Sequence, residues 1–186
     1  MKRIFVAAGM GIPKNKKIKK EAEILARKIA KSGATYAQGG CADGVMGYTL
    51  KEFIKHSNKA VFYLPIKYYN NDAPKIEAIV GKDNFKPYIM KDEAHRLRTI
   101  KKSAICVILP GGSGTIEELF YVNETARADE HNMEMFLVNV DGFYDGILKQ
   151  IESNIAEGLI KPKAIKFKVV SSVEEIDIDG ILNKKK

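Results

Sequence analysis

Short apolar runs alternate along the chain with longer segments whose apolar residues recur every three or four positions. Residues 2–8, 34–38, 59–64, 105–109 and 135–140 are rich in β-branched or aromatic side chains, as strands of a buried parallel sheet should be. Further strands are predicted at 85–90, weakened by Pro87, and at 166–170. Between the strands the period changes. Over 17–31, Ile18, Ala22, Leu25, Ala26 and Ile29 share one helical face, while lysines and glutamates occupy the other. A helix bearing Val45, Leu50, Phe53 and Ile54 on its inner side follows and ends near 56–58. Others are predicted over 92–102, over 115–130, over 143–157 with Gly158 as C-cap, and over 173–182. Residues 67–74 read as a polar, tyrosine-containing loop, followed by a short helix at 75–80.

Strand followed by helix throughout implies an α/β, Rossmann-like three-layer fold, with a mostly parallel sheet and helices on both faces. No repeat or linker divides the chain, so residues 1–186 are expected to form a single domain. Ligands of such sheets bind outside the carboxyl ends of the strands. Two glycine-rich turns fall there, one over 39–47 and one over 110–115. In the second, Gly111, Gly112 and Gly114 allow a ligand to approach the backbone, and Thr115 is predicted to cap the next helix, with Glu118 completing a capping box. Unpaired N–H groups at that helix start, backed by the helix dipole, suit a phosphate.

Composition adds compartment and charge. The two cysteines, Cys41 and Cys106, offer neither a disulfide framework nor a zinc spacing, which makes a reducing cytoplasm the expected location. No apolar run approaches the roughly 20 residues of a membrane span, and the basic start at Lys2 and Arg3 leads into a strand pattern instead of a signal peptide. The net charge is +8, with lysines clustered at 14, 16, 17, 19 and 20 and again at 184–186. A nucleic-acid partner is not the preferred reading of this charge, because no aromatic interleaving or nucleic-acid module accompanies it. A lysine-rich solvated surface is.

The familiar phosphate motifs are absent. The 111–115 turn lacks the Lys-Ser/Thr ending of a P-loop, and Gly9-Met10-Gly11 lacks the third glycine of a dinucleotide fingerprint, so neither metal-bound triphosphate nor NAD is expected. Instead, Pro110-Gly111-Gly112-Ser113-Gly114-Thr115-Ile116-Glu117-Glu118 resembles the PGGxGTxxE motif of the LOG (LONELY GUY) family. Residues 39–47 resemble that family's GGGxxGxMG turn, 139–144 its NVDGYY segment and 157–160 its EGFI. The resemblance implies a cofactor-free and metal-free phosphoribohydrolase, probed best with nucleoside 5′-monophosphates: AMP, or AMP modified on its exocyclic amine, yields free base and ribose 5-phosphate. It also implies a homodimer.

Carried over by motif, Gly111, Gly112, Ser113, Gly114 and Thr115 hold the phosphate, joined by Gly39, Gly40, Asp43, Gly44 and Met46 of the other turn, and Glu118 acts near the ribose. The family's arginine has two counterparts, Arg96 or Arg98, because the Met-His-x-Arg-Lys run is replaced here by residues 90–98. Cys41 in place of a third glycine is a further departure. Several residues also have plain structural readings. Glu118 can serve as the capping-box acid, Asp43 can cap its helix, and Met46, Met90 and Cys106 read as core. The three histidines show no ligand spacing. The main rival is a non-catalytic nucleotide- or molybdopterin-type binding protein on the same scaffold. Pyridoxal-phosphate decarboxylation has no lysine in a recognisable Schiff-base context to support it.

Overall fold

A computed structural model describes residues 2–184. Seven strands, β1 (Arg3–Ala7), β2 (Thr35–Gln38), β3 (Ala60–Pro65), β4 (Pro87–Met90), β5 (Ile105–Ile108), β6 (Glu134–Val138) and β7 (Lys168–Val170), alternate with seven α-helices. The helices are α1 (Lys16–Lys31), α2 (Gly44–Phe53), α3 (Ile66–Val80), α4 (Glu93–Ile100), α5 (Ser113–Arg127), α6 (Asp145–Ala156) and α7 (Ile178–Asn183). All strand pairs are parallel, in the order β4-β3-β2-β1-β5-β6-β7. The chain therefore winds outward from β1 to β4, returns to the other side of β1 as β5, and winds outward again. β1 and β5 pair with Ile4 opposite Ile105 and Ala7 opposite Ile108, so the direction of winding reverses at their carboxyl ends.

Strand residues alternate between two apolar layers. Ile4, Val6, Ile105 and Val107 pack with α1, α2, α3 and α7 on one face. Phe5, Ala7, Cys106 and Ile108 pack with α4, α5 and α6 on the other. These are the helices on both faces that the alternating pattern predicts. A parallel sheet covered twice needs strands apolar at every position, which is why the central strands carry no polar alternation. No helix among the described residues is long and apolar enough to cross a membrane.

Three local expectations are corrected. Residues 67–74 belong to α3, which runs unbroken from Ile66 to Val80. Ala73, Ile76 and Val80 are buried against the sheet at helical spacing with Tyr69 partly buried beside them, and this face outweighs Pro74, which lies on the exposed side. The 85–90 strand begins only at Pro87, on the sheet edge where a missing N–H costs no ladder bond. The 173–182 helix is interrupted, because Asp177 accepts from the Gly180 N–H at 2.9 Å and starts α7 afresh after a single 3₁₀ turn. Lys185 and Lys186 of the basic tail lie outside the described residues.

Gly44, the first residue of α2, has φ +57°, and a Cβ there would overlap the Met10 carbonyl and the Gly11 oxygen. Gly44→Ala is expected to cost upwards of about 2 kcal/mol in urea denaturation, because neither backbone can withdraw.

Candidate functional site

The loops after β1 and β5 interlock where the winding reverses. The Gly9 N–H donates to the Pro110 carbonyl at 3.1 Å, and a Cβ on Gly9 would lie 3.0 Å from Gly111 Cα. Gly111 in turn is pressed against the Thr115 side chain, which leaves no room for a Cβ. Beyond that contact the loop opens. Gly112 and Gly114 are exposed, and a Cβ on either would meet nothing within 4 Å.

α5 starts at Ser113, and the expected capping box is not formed. Gly112 is the N-cap, with no side chain to offer, and Thr115 lies inside the first turn with its hydroxyl against Gly111. The first intrahelical bond of the loop is Ile116 N–H to Gly112 C=O at 3.1 Å. The N–H groups of Ser113, Gly114 and Thr115 therefore have no acceptor among the described residues, which leaves the positive end of a 15-residue helix facing solvent. Such a cradle can receive an anion.

The 39–47 turn behaves differently. It ends at Asp43, and the α2 N-terminus is already occupied, since the Val45 and Met46 N–H groups both donate to the Gly9 carbonyl, at 2.9 and 3.2 Å. Met46 packs into the core, Gly40 turns at φ +89° against Leu64, and Gly44 abuts the β1 loop. Asp43 makes no capping bond and pairs with Lys75 at 3.2 Å on the surface. Of this turn, Gly39 alone is packed against the charged residues of the site. A Cβ there would stand 3.1 Å from Arg96 Nη1 and 3.6 Å from Glu118 Oε1.

Arg96 and Glu118 thus meet over Gly39. Arg96, on α4, reaches Glu118 Oε1 on α5 at 3.5 Å and Glu93 Oε2, one turn back on its own helix, at 2.9 Å. The Arg96 Nε is buried without an acceptor among the described residues. Arg98 points the other way and is exposed. Glu118 is buried at 7% exposure, while its neighbour Glu117 is solvated. Burial pushes the Glu118 carboxyl up to about 7, with Arg96 opposing and Glu93 and Glu117 reinforcing the rise.

Two supporting residues come from the 139–144 segment that resembles the family's NVDGYY, although neither is read from the sequence as part of the site. Tyr144 donates to the Leu109 carbonyl at 2.8 Å beneath the glycine loop, and burial pushes its hydroxyl up. Asn139 orients that segment by accepting from Tyr144 N–H and donating to Asp145, both at 2.7 Å. Asp141 is engaged by Asn15 and Lys17 at 2.9 and 2.8 Å, which clasps the β6 and β1 loops together. Glu93 was legible only as a helical neighbour of Arg96 three residues away. A cavity of about 840 Å³ opens elsewhere, between α5, α6 and residues 159–166, and contains none of the predicted site residues.

The family described as "Possible lysine decarboxylase" matches residues 29–178. The chain belongs to this family. Among curated members, a cytokinin riboside 5′-monophosphate phosphoribohydrolase of Arabidopsis thaliana (LOG5) is 27% identical over 87% of this chain and 68% of its own length. A second from Arabidopsis thaliana (LOG7) is 29% identical, over 88% and 73%. The relatives place the chain in the LOG group and support a hydrolase at family level. Solved structures share the fold. The Moco carrier protein of Chlamydomonas rheinhardtii superposes with a TM-score of 0.61 at 16% identity, covering 97% of this chain and 93% of that one. A molybdenum cofactor binding protein of Rippkaea orientalis gives 0.63 at 18%, covering 94% and 92%.

The raised carboxyl of Glu118 has a stability consequence. Its folded value near 7 lies above the ordinary 4.5, so the folded chain holds this proton more tightly, and stability falls as pH rises from about 4.5 to 7. Glu118→Gln is expected to stabilise the protein by as much as about 3 kcal/mol at pH 8. The gain should vanish below about pH 4.5, as paired thermal melts at the two pH values would read.

Proposed function

We propose that this chain is a phosphoribohydrolase that cleaves the N-glycosidic bond of a nucleoside 5′-monophosphate, AMP or an N6-modified AMP. The observation that carries the reading is the placement of a buried carboxylate beside an arginine, one and a half turns along the same helix from an uncapped N-terminus. From Ser113 to Glu118 the helix rises about 7.5 Å, a span suited to a ribose whose 5′-phosphate sits on the N–H cradle. The phosphate lies on the N–H groups of Ser113, Gly114 and Thr115, and the sugar lies over Gly39, which offers no side chain in its way. Names of the plant relatives, all 5′-monophosphate phosphoribohydrolases, support the same substrate class.

In this reading, breaking the bond between the anomeric carbon and the base nitrogen leaves positive charge on the sugar. Ionised Glu118 stabilises that charge and orients the water that adds to it. The base leaves with a proton and the sugar as ribose 5-phosphate. Arg96 holds the ribose phosphate side of the ligand and keeps Glu118 partly ionised at neutral pH, so activity rises with pH through about 7. Arg98 has no part. The reading includes one domain over residues 1–186 and a cytoplasmic location, as the sequence pattern suggests, and a homodimer, as the family resemblance implies.

The test is incubation with AMP and chromatography for free adenine. Glu118→Gln is expected to retain AMP binding and lose base release by about 100-fold or more. Arg96→Ala should fall comparably, while Arg98→Ala stays within about twofold. AMP bound but never cleaved by the unaltered chain would favour the non-catalytic binding protein, and full activity in Arg96→Ala would remove Arg96 from its role.

A further inference from the structure

We propose that Glu93 is a positioning residue of this site: its carboxylate engages the Arg96 guanidinium at 2.9 Å and holds that cation beside Glu118 without letting it close an ion pair with Glu118. One nitrogen, Arg96 Nη2, serves both acids, and its 3.5 Å approach to Glu118 Oε1 is too long for a strong charge-assisted hydrogen bond. Glu118, although buried, has Arg96 as its ion-pair partner among the described residues, at the longer distance. The Arg96–Glu93 contact is the shorter of the two by 0.6 Å, an ion-pair contact at Glu93 Oε2, itself a buried atom, while the rest of the Glu93 side chain reaches solvent (42% exposed against 9% for Glu118), so the cation is held nearer the acid at the rim and the deeper one is left under-compensated.

The geometry explains why the pair is a triad. If Arg96 had Glu118 as its sole partner, a buried, closed ion pair would keep the carboxylate ionised and tied to the guanidinium instead of free to face the sugar. Glu93 draws the guanidinium back along α4, from one turn earlier on the same helix. Among the described residues, the charged or titratable groups that interact with Glu118 come from four elements. α4 supplies Arg96 and Glu93, α5 supplies Glu117, β5 supplies the buried Cys106 thiol, and the segment before α6 supplies Tyr144. Of these only Arg96 is a cation. Control of where that cation sits is therefore control of the proton on Glu118. For what that proton does, the proposal rests on the phosphoribohydrolase reading, but the position of the proton is measurable without turnover.

The experiment uses the full chain labelled with carbon-13, titrated by NMR between about pH 5 and pH 9, with the Glu118 carboxyl signal identified by its loss in Glu118→Gln. Glu93→Gln is expected to lower the Glu118 midpoint by about one pH unit, since Arg96 turns to Glu118 and one negative neighbour is gone. An unchanged or raised midpoint in the folded variant overturns the proposal. Should Glu93→Gln fail to fold, Glu93→Asp, whose shorter side chain withdraws from Arg96, is read by the same criterion. With AMP as probe, the pH profile of kcat/KM should move with the carboxyl midpoint, and a profile that stays in place while the midpoint moves overturns the link to catalysis. Absence of base release by the unaltered chain at every pH would sink the phosphoribohydrolase reading alone, and the carboxyl titration would still decide the role of Glu93.

Discussion

The structure depends on a steric constraint at the point where two halves of a parallel sheet part company. β1 and β5 lie side by side, and the loops leaving them must diverge to opposite faces within a few residues. They do so through backbone contact. Gly9 rests on Gly111, the Gly9 N–H closes on the Pro110 carbonyl, and the Gly9 carbonyl caps the first turn of α2. A side chain at Gly111 would overlap Thr115 and the Gly9 nitrogen, and one at Gly9 would crowd the Gly111 and Pro110 backbone. The same contact determines which helix end is free. Because α2 is capped by the β1 loop, α5 is the helix that presents open N–H groups to solvent.

A second consequence concerns where the protein carries unfavourable electrostatics. A buried carboxyl pushed up to about 7 opposes folding at neutral and higher pH, yet Glu118 is kept next to Leu119 at the edge of the apolar α4–α5 layer. Destabilising groups held in place by a rigid surround are characteristic of sites that do chemistry. Here the surround is specific. Leu119 and Val122 of α5 and Leu97 and Ile100 of α4 belong to one buried apolar layer, and Gly39 brings the end of β2 against both charges. Solved structures named as molybdenum-cofactor carrier or binding proteins share this fold, so scaffold alone says little about chemistry.

The two glycine turns look alike as strings of residues but do different work. In the 39–47 turn, glycines at 40 and 44 serve positive φ angles and close packing, and Met46 is core. In the 110–115 turn, Gly112 and Gly114 serve open space. Motif position treats both as ligand-binding, whereas packing separates scaffold from surface. The net charge of +8 follows the same division, with lysines of α1 on a solvated face and Lys17 drawn to Asp141 across two loops.

The amino-acid sequence by itself determined the alternation of strand and helix, the parallel sheet with helices on both faces, and the glycine loop ahead of α5. Each follows from local periodicity and from backbone freedom that single residues confer or withhold. Residues 67–74 escaped because polar tyrosines and Pro74 concealed a buried face of Tyr69, Ala73, Ile76 and Val80 that has meaning only against the sheet. Tertiary structure alone decided that Thr115 does not cap α5, that Arg96 and not Arg98 meets Glu118, and that Glu93 shares the same guanidinium. Those outcomes turn on which side of α4 faces α5 and on how far a loop stands from its neighbour. Such quantities are set by packing between segments distant in the chain, and no spacing within one segment encodes them.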